Sequence, residues 1–292
     1  MWDRVELQMA MQAAGRTNTQ WQVRARELGS ELAAFAVKQL QASVFPLSIF
    51  FLLSVWKFVL QPLGFPVDRY DFLLVGCLAM QAWLVWAGWE TLDELKVISV
   101  FHVVGLALEV YKVHHGSWFY PDPAWVKVGE VPLYSGFMYA SVASYVTQAW
   151  RRFDLKMESW PALPANIASC GLIYSNFFLN RWIGDFRWWI AAGVLGVFWK
   201  TRVWFTCRNR RFSMPMLLAF GLIGFFIWVA ENICTYLGAW QYPNQQAAWQ
   251  MVSWSKYSSW TLLAILSITL IVWLKAFKSK RESPEPGTLP AP

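Results

Sequence analysis

A chain of 292 residues with 57% hydrophobic and only 15% charged side chains is too apolar for an ordinary soluble domain. The formal charge of +7 does not mark a nucleic-acid binder, because the basic residues sit in short clusters between apolar runs and no nucleic-acid motif accompanies them. The 21 tryptophans fit a protein with amphipathic rings at a membrane interface.

In chain order, residues 1–39 form a cytoplasmic N-terminal segment. Its spaced apolar residues (Trp2, Val5, Met9) admit two readings, an interfacial helix or a solvated tail. The first thirty residues have no apolar core of the kind a signal peptide needs. A helix needs about 20 apolar residues to cross a bilayer core. Eight runs qualify: 40–60, 70–89, 97–113, 132–150, 161–180, 188–206, 213–237 and 256–276. Pro46 bends the first or marks its start. The expected fold is therefore all-α, a polytopic bundle of about eight transmembrane helices. It divides into a first half (40–150), a cytoplasmic linker (151–160), a second half (161–276) and a Pro-rich, unstructured tail (277–292).

Orientation follows from Lys and Arg between the runs. Lys96, Arg151, Arg152, Lys156, Lys200, Arg202, Arg208, Arg210, Arg211 and the basic residues of both termini fall on one side. The other side carries Arg69, Lys112, Lys127, Arg181, Arg187 and Lys256. The positive-inside rule makes the first side, with both termini, cytoplasmic. Cys77, Cys170, Cys207 and Cys234 have no metal or redox spacing and read as packed, reduced thiols. Gly193, Gly196, Gly221 and Gly224 are expected to let helices approach closely.

One phrase occurs twice. Residues 109–123 read EVYKVHHGSWFYPDP and residues 231–245 read ENICTYLGAWQYPNQ. Glu109, Gly116, Trp118, Tyr120 and Pro121 recur as Glu231, Gly238, Trp240, Tyr242 and Pro243, 122 positions later. Runs three and seven carry the copies and point the same way, so two parallel four-helix repeats are expected, related by an axis along the membrane normal. The Gly-x-Trp-x-Tyr-Pro part reads as a helix stop: Gly turns the chain, Trp and Tyr anchor it, and Pro prevents restart. It does not account for the glutamate about 10 Å deeper, two helical turns before the Gly. In hydrocarbon that carboxylate requires partners, water or a proton.

Around this pair, His102 lies on the face of Glu109, seven residues earlier, and reads either as a cavity-lining imidazole or as a packed one. Lys112 is placed to pair with Glu109. His114, His115 and Asp122 have metal-ligating chemistry, but the second copy lacks the histidines and interfacial polar side chains are the better reading; no metal is assigned. Asn176 and Asn180 suit interhelical hydrogen bonds or contact with a polar substrate, and Asp185 and Arg187 suit an interfacial ion pair. No P-loop, HExxH, GxSxG or GxGxxG occurs in a usable context, and no cofactor is identified.

The stretch from His102 through EVYKVHHGSWFYP to VPLYSGFMYASVASYV (131–146) and Arg151-Arg152 resembles the bacterial domain-of-unknown-function family 817, polytopic membrane proteins with no assigned activity. That resemblance covers all but the tails. It implies a multi-pass protein of the bacterial cytoplasmic membrane and carries no catalytic residues over. A fainter one, on the acidic residue, Gly-x-Trp-x-Tyr and the following Pro-Leu, is to the integral-membrane lycopene cyclases, which are also duplicated and helical. Their Pro-x-x-Glu-Glu type motif would fall at Pro132–Gly136, where this chain has no carboxylate and Glu130 precedes the proline instead.

Three functions fit these residues. The first is a membrane-embedded enzyme on an apolar lipid or isoprenoid, with Glu109, Glu231 and His102 in acid–base roles. Trp118, Tyr120, Trp240, Tyr242, Asn176 and Asn180 would then contact the substrate. The second is a small-solute or proton-coupled transporter using the same glutamates. The third is a structural or accessory membrane protein in which the glutamates only hold the bundle together. Beyond the bilayer, the partner is an apolar lipid or a small solute in the first two.

Overall fold

The computed structural model describes the backbone of residues 4–282 and the side chains of residues 22–180 and 182–275. Helices dominate: α1 Arg4–Ala42, α2 Val44–Val55, α3 Arg69–Trp86, α4 Leu92–His114, α5 Gly136–Arg152, α6 Leu163–Ile183, α7 Arg187–Phe198, α8 Met216–Leu237 and α9 Ser255–Glu282. The helices α4, α8 and the Ser255–Lys275 part of α9 are long and apolar enough to cross a membrane. The pair Gln22–Ala42 and Val44–Leu60, bent by 64°, makes a fourth if its two helices count as one broken span rather than a re-entrant loop. The break falls at Ser43, and Pro46 sits in the first turn of α2, where a missing N–H costs nothing. Residues 277–282 of the expected unstructured tail continue α9 as helix, and the rest of it lies outside the described residues, as do the side chains of Trp2, Val5 and Met9.

The fold is not all-α. Two small sheets are present, the antiparallel pair β1 Lys127–Val128 with β2 Val131–Pro132, and a three-stranded sheet of β3 Lys156–Glu158, β4 Arg202–Thr206 and β5 Arg211–Pro215 in sequential antiparallel order. The run 188–206 is therefore not one helix. Its first part forms the 12-residue α7, rising about 18 Å against a hydrocarbon core of about 30 Å. Its last part is β4, where Val203, Trp204 and Phe205 are strand formers with Val203 buried.

Each end of the bundle is tied by its own contacts. At one end Arg69 meets Asp122 at 2.8 Å and donates to the Gly238 carbonyl at 2.8 Å, and Tyr134 donates to the Ala239 carbonyl at 2.6 Å. At the other end Glu31 of α1 accepts from the backbone N–H groups of Arg208 (2.9 Å) and Asn209 (3.2 Å) in the β4–β5 turn. Lys38 donates to the Thr206 carbonyl there at 2.8 Å. The largest core cluster joins α2, α3, α4 and the α5 start to Trp228 and Leu237 of α8 and to Trp240 and Tyr242 of the loop after it. Of the four glycines expected at close approaches, Gly224 is one: a Cβ there would lie 2.8 Å from Thr261 Cα. Gly221 nears only the Tyr257 hydroxyl, and Gly193 and Gly196 face open space.

Candidate functional site

Helices α4 and α8 stop in the same way. Gly116 and Gly238 take left-handed backbone, with φ of 68° and 86°, which a side chain resists. Ser117 N–H bonds the Lys112 carbonyl at 3.0 Å and Gly116 N–H that of Val113 at 2.9 Å. Ala239 N–H bonds Cys234 at 2.9 Å and Gly238 N–H bonds Thr235 at 3.1 Å, the equivalent atoms 122 positions on. The reversal folds each loop back over its own helix and brings Trp118 and Tyr120 to Glu109 and Tyr242 to Glu231.

Glu109 is 3% exposed and Glu231 2% exposed. Glu109 Oε2 accepts from Trp118 Nε1 and from the Tyr120 hydroxyl, both at 2.7 Å, and Oε1 accepts from the Tyr139 hydroxyl of α5 at 2.9 Å. Tyr139 reaches this position because its ring lies over Gly105, where a Cβ would come within 2.4 Å of it. Glu231 Oε1 accepts from the Tyr242 hydroxyl, and Oε2 from Trp260 Nε1 of α9 at 2.6 Å. All four carboxylate oxygens thus have donors, as buried polar atoms require. Burial, reinforced by Glu109, pushes the Tyr120 phenol well above its ordinary 10; burial and Glu231 do the same to Tyr242. Both therefore remain donors across the physiological range.

The two copies meet. Phe119 N–H bonds the Gln241 carbonyl and Gln241 N–H bonds the Phe119 carbonyl, each at 3.0 Å. The Trp118 and Tyr242 rings pack edge to face with centroids 6.0 Å apart. Lys256 stands over both, its ammonium 5.5 Å from the Trp118 ring and 4.6 Å from the Tyr242 ring. The sequence-expected set of Glu109, Glu231, Trp118, Tyr120 and Tyr242 is thus one cluster. Trp240 is buried in the same core but does not bond Glu231; Trp260 takes that place.

The other expected residues lie apart from it. His102 packs on Phe137 with ring centroids 4.4 Å apart, its Nδ1 buried without a hydrogen bond. Lys112 does not pair with Glu109; it donates to the Phe177 carbonyl at 2.6 Å, which ties α4 to α6. Asn176 caps the α6–α7 turn, accepting from Phe186 N–H at 2.8 Å and donating to Asp185 at 3.3 Å. Asp185 pairs with Arg187 at 2.5 Å, and that guanidinium, bonded to it, holds its carboxyl below the usual range. Asn180 and Asn176 line a small cavity of about 40 Å³ between α6 and α9, which neither glutamate lines. His115 Nδ1 lies 2.7 Å from the Tyr111 carbonyl and Asp122 is engaged by Arg69, so the three metal-ligating side chains of this loop are not gathered. Among the described residues no group of three or more His, Cys, Asp and Glu is placed to hold a metal.

The model of the family described as "Protein of unknown function (DUF817)" matches residues 31–268. The chain belongs to the DUF817 family. It is 48% identical over 250 residues to the "Uncharacterized protein YoaT" of Bacillus subtilis (strain 168), covering 86% of this chain and 94% of that protein. No solved structure matches. The fainter likeness to the lycopene cyclases has no support among these relatives.

The twin-glutamate cluster of this DUF817 protein includes residues that the repeat did not announce. Tyr139 and Trp260 stand 30 and 29 positions after their glutamates, so the helix following each loop supplies a donor in both halves. A third buried carboxylate, Glu90, is 2% exposed in the α3–α4 connection and accepts from Gln81 of α3 and Ser144 of α5. Its sequence signal was the adjoining Thr91-x-x-Glu94, a capping box that starts α4.

Proposed function

We propose that this chain is a multi-pass protein of the bacterial cytoplasmic membrane that acts as a structural or accessory component, its twin glutamates fastening two tandem halves together. The observation that carries this reading is the complete occupation of both carboxylates by five side-chain donors, two of them brought by the next helix. An enzyme acting on an apolar lipid needs at least one of these oxygens turned toward an opening. Here both groups are buried, and neither lines the cavities of about 270 and 40 Å³. A transporter needs a polar path between the faces, and the aromatic cap under Lys256 closes the glutamates off at their end.

The halves are read as two parallel four-helix repeats, α2–α5 and α6–α9, with both termini cytoplasmic. The identical helix stops and the reciprocal pairing of Phe119 with Gln241 support the duplication. The basic β4–β5 turn and its neighbours support the orientation. α7 is the short member, and the three-stranded sheet completes that side at the interface.

Thermal melting of purified Glu109→Gln and Glu231→Gln tests the role. An amide places an N–H against Trp and Tyr donors, so a fastening role predicts lower melting temperatures for both. Reactive glutamates held under strain predict unchanged or raised ones. Unchanged melting in both variants would remove the reading.

A further inference from the structure

At the loop end of α8 lies a cavity of about 270 Å³ that the glutamate cluster does not use. Its lining includes Lys57, Gln61, Arg69, Gln241, Gln245 and Trp249, and no carboxylate. Lys57 arrives there through a widened turn: after α2 the chain runs as a π-helical turn over Trp56–Leu60, and Gln61 N–H bonds the Trp56 carbonyl five residues back at 2.9 Å. Such turns cost regular helix bonding and recur at functional sites.

The charges on the wall are not balanced. Arg69 is matched by Asp122 at 2.8 Å. Lys57 has no carboxylate within ion-pair distance among the described residues; it rests on the Tyr236 carbonyl and 3.9 Å above that ring. One hydrogen bond leaves two ammonium protons unused. Arg69 Nη2 makes only a long contact, 3.4 Å to Gln61. Trp249 on its wall is 44% exposed. An amphipathic ring of this kind suits the level of lipid headgroups. The geometry points to a binding site for a small oxyanion of the phosphate class, held by Lys57 and the free edge of Arg69, with the side-chain amide of Gln241 as a further donor. Two sources share this chemistry, the phosphate of an anionic lipid headgroup and a free phosphate ion. The site stands whatever the glutamates do.

The test uses the full chain, purified in a non-ionic detergent. Melting is followed against inorganic phosphate, with sodium chloride at matched ionic strength as control, and separately against dihexanoyl-phosphatidylglycerol. A saturable rise with phosphate assigns a free ion, and a rise with the lipid alone assigns a headgroup. In either case Lys57→Met weakens binding at least tenfold. Gln241→Leu weakens it severalfold and decides the matter if the lysine variant does not fold. No saturable rise with either probe, or parental affinity in the folded variants, overturns the site.

Discussion

Phe119 and Gln241, one repeat apart in sequence, exchange both of their backbone hydrogen bonds with each other. Each residue thus pairs with its own counterpart in the recurring phrase, the pattern of an isologous contact. The pairing also explains why the aromatic caps interlock, since it fixes Trp118 of one loop beside Tyr242 of the other.

Phe119→Pro removes one of these two donors and should loosen both loops. A backbone hydrogen bond contributes about 1 kcal/mol net. Hydrogen exchange followed by mass spectrometry should show faster exchange in residues 238–250 as well as in residues 115–122. Acceleration confined to the mutated loop would mean the loops are not coupled.

The two tryptophans of the repeat should not be equivalent. Trp118→Phe strips a donor from buried Glu109, and such a loss costs about 1–3 kcal/mol. Trp240→Phe leaves the Glu231 donors Tyr242 and Trp260 in place and should cost less. Equal losses in melting temperature would contradict the different roles the geometry gives them.

The glycines should also differ. Gly116→Ala meets open space and pays only for left-handed backbone, about 1–2 kcal/mol. Gly238→Ala pays the same and in addition drives a Cβ to 2.4 Å from Arg69 Nη1, displacing the guanidinium from the Gly238 carbonyl and Asp122. Denaturation should rank Gly238→Ala below Gly116→Ala; the reverse order would show that Arg69 gives way freely.

How far the sequence carries depends on which signals are local. The helix stops at Gly116 and Gly238 and the depth of both glutamates are written in contiguous residues, and they are legible. Tyr139 and Trp260 are not, because they come from the next helix, differ in residue type and sit one position out of register between copies. Val203, Trp204 and Phe205 join the preceding apolar run only across Lys200, Thr201 and Arg202; that polar break and the turn at Cys207–Arg210 are the cues to the β4–β5 hairpin, which a hydropathy window averages away. Lys112 was assigned to Glu109 from helical spacing, but the Phe177 carbonyl, distant in sequence, offers it a partner that spacing cannot reveal. Family membership was legible from the motif stretch itself, since the matched residues 31–268 contain it whole.

Glu90 makes stability depend on pH in a direction opposite to an ordinary surface carboxylate. Burial holds its carboxyl above the usual 4.5, and the hydrogen bonds from Ser144 and Gln81 only partly oppose this. In the unfolded chain the group ionises at its ordinary value, whereas the folded chain keeps the proton to higher pH. The stabilisation is therefore complete below pH 4.5 and is lost as pH rises through the folded value. Glu90→Gln retains a neutral side chain of the same shape and removes this loss. Melting temperatures of parent and variant should lie close together at pH 4.5 and separate above it, with the variant the more stable at pH 8. A gap that widens instead toward acid would mean that Glu90 is held ionised in the folded protein.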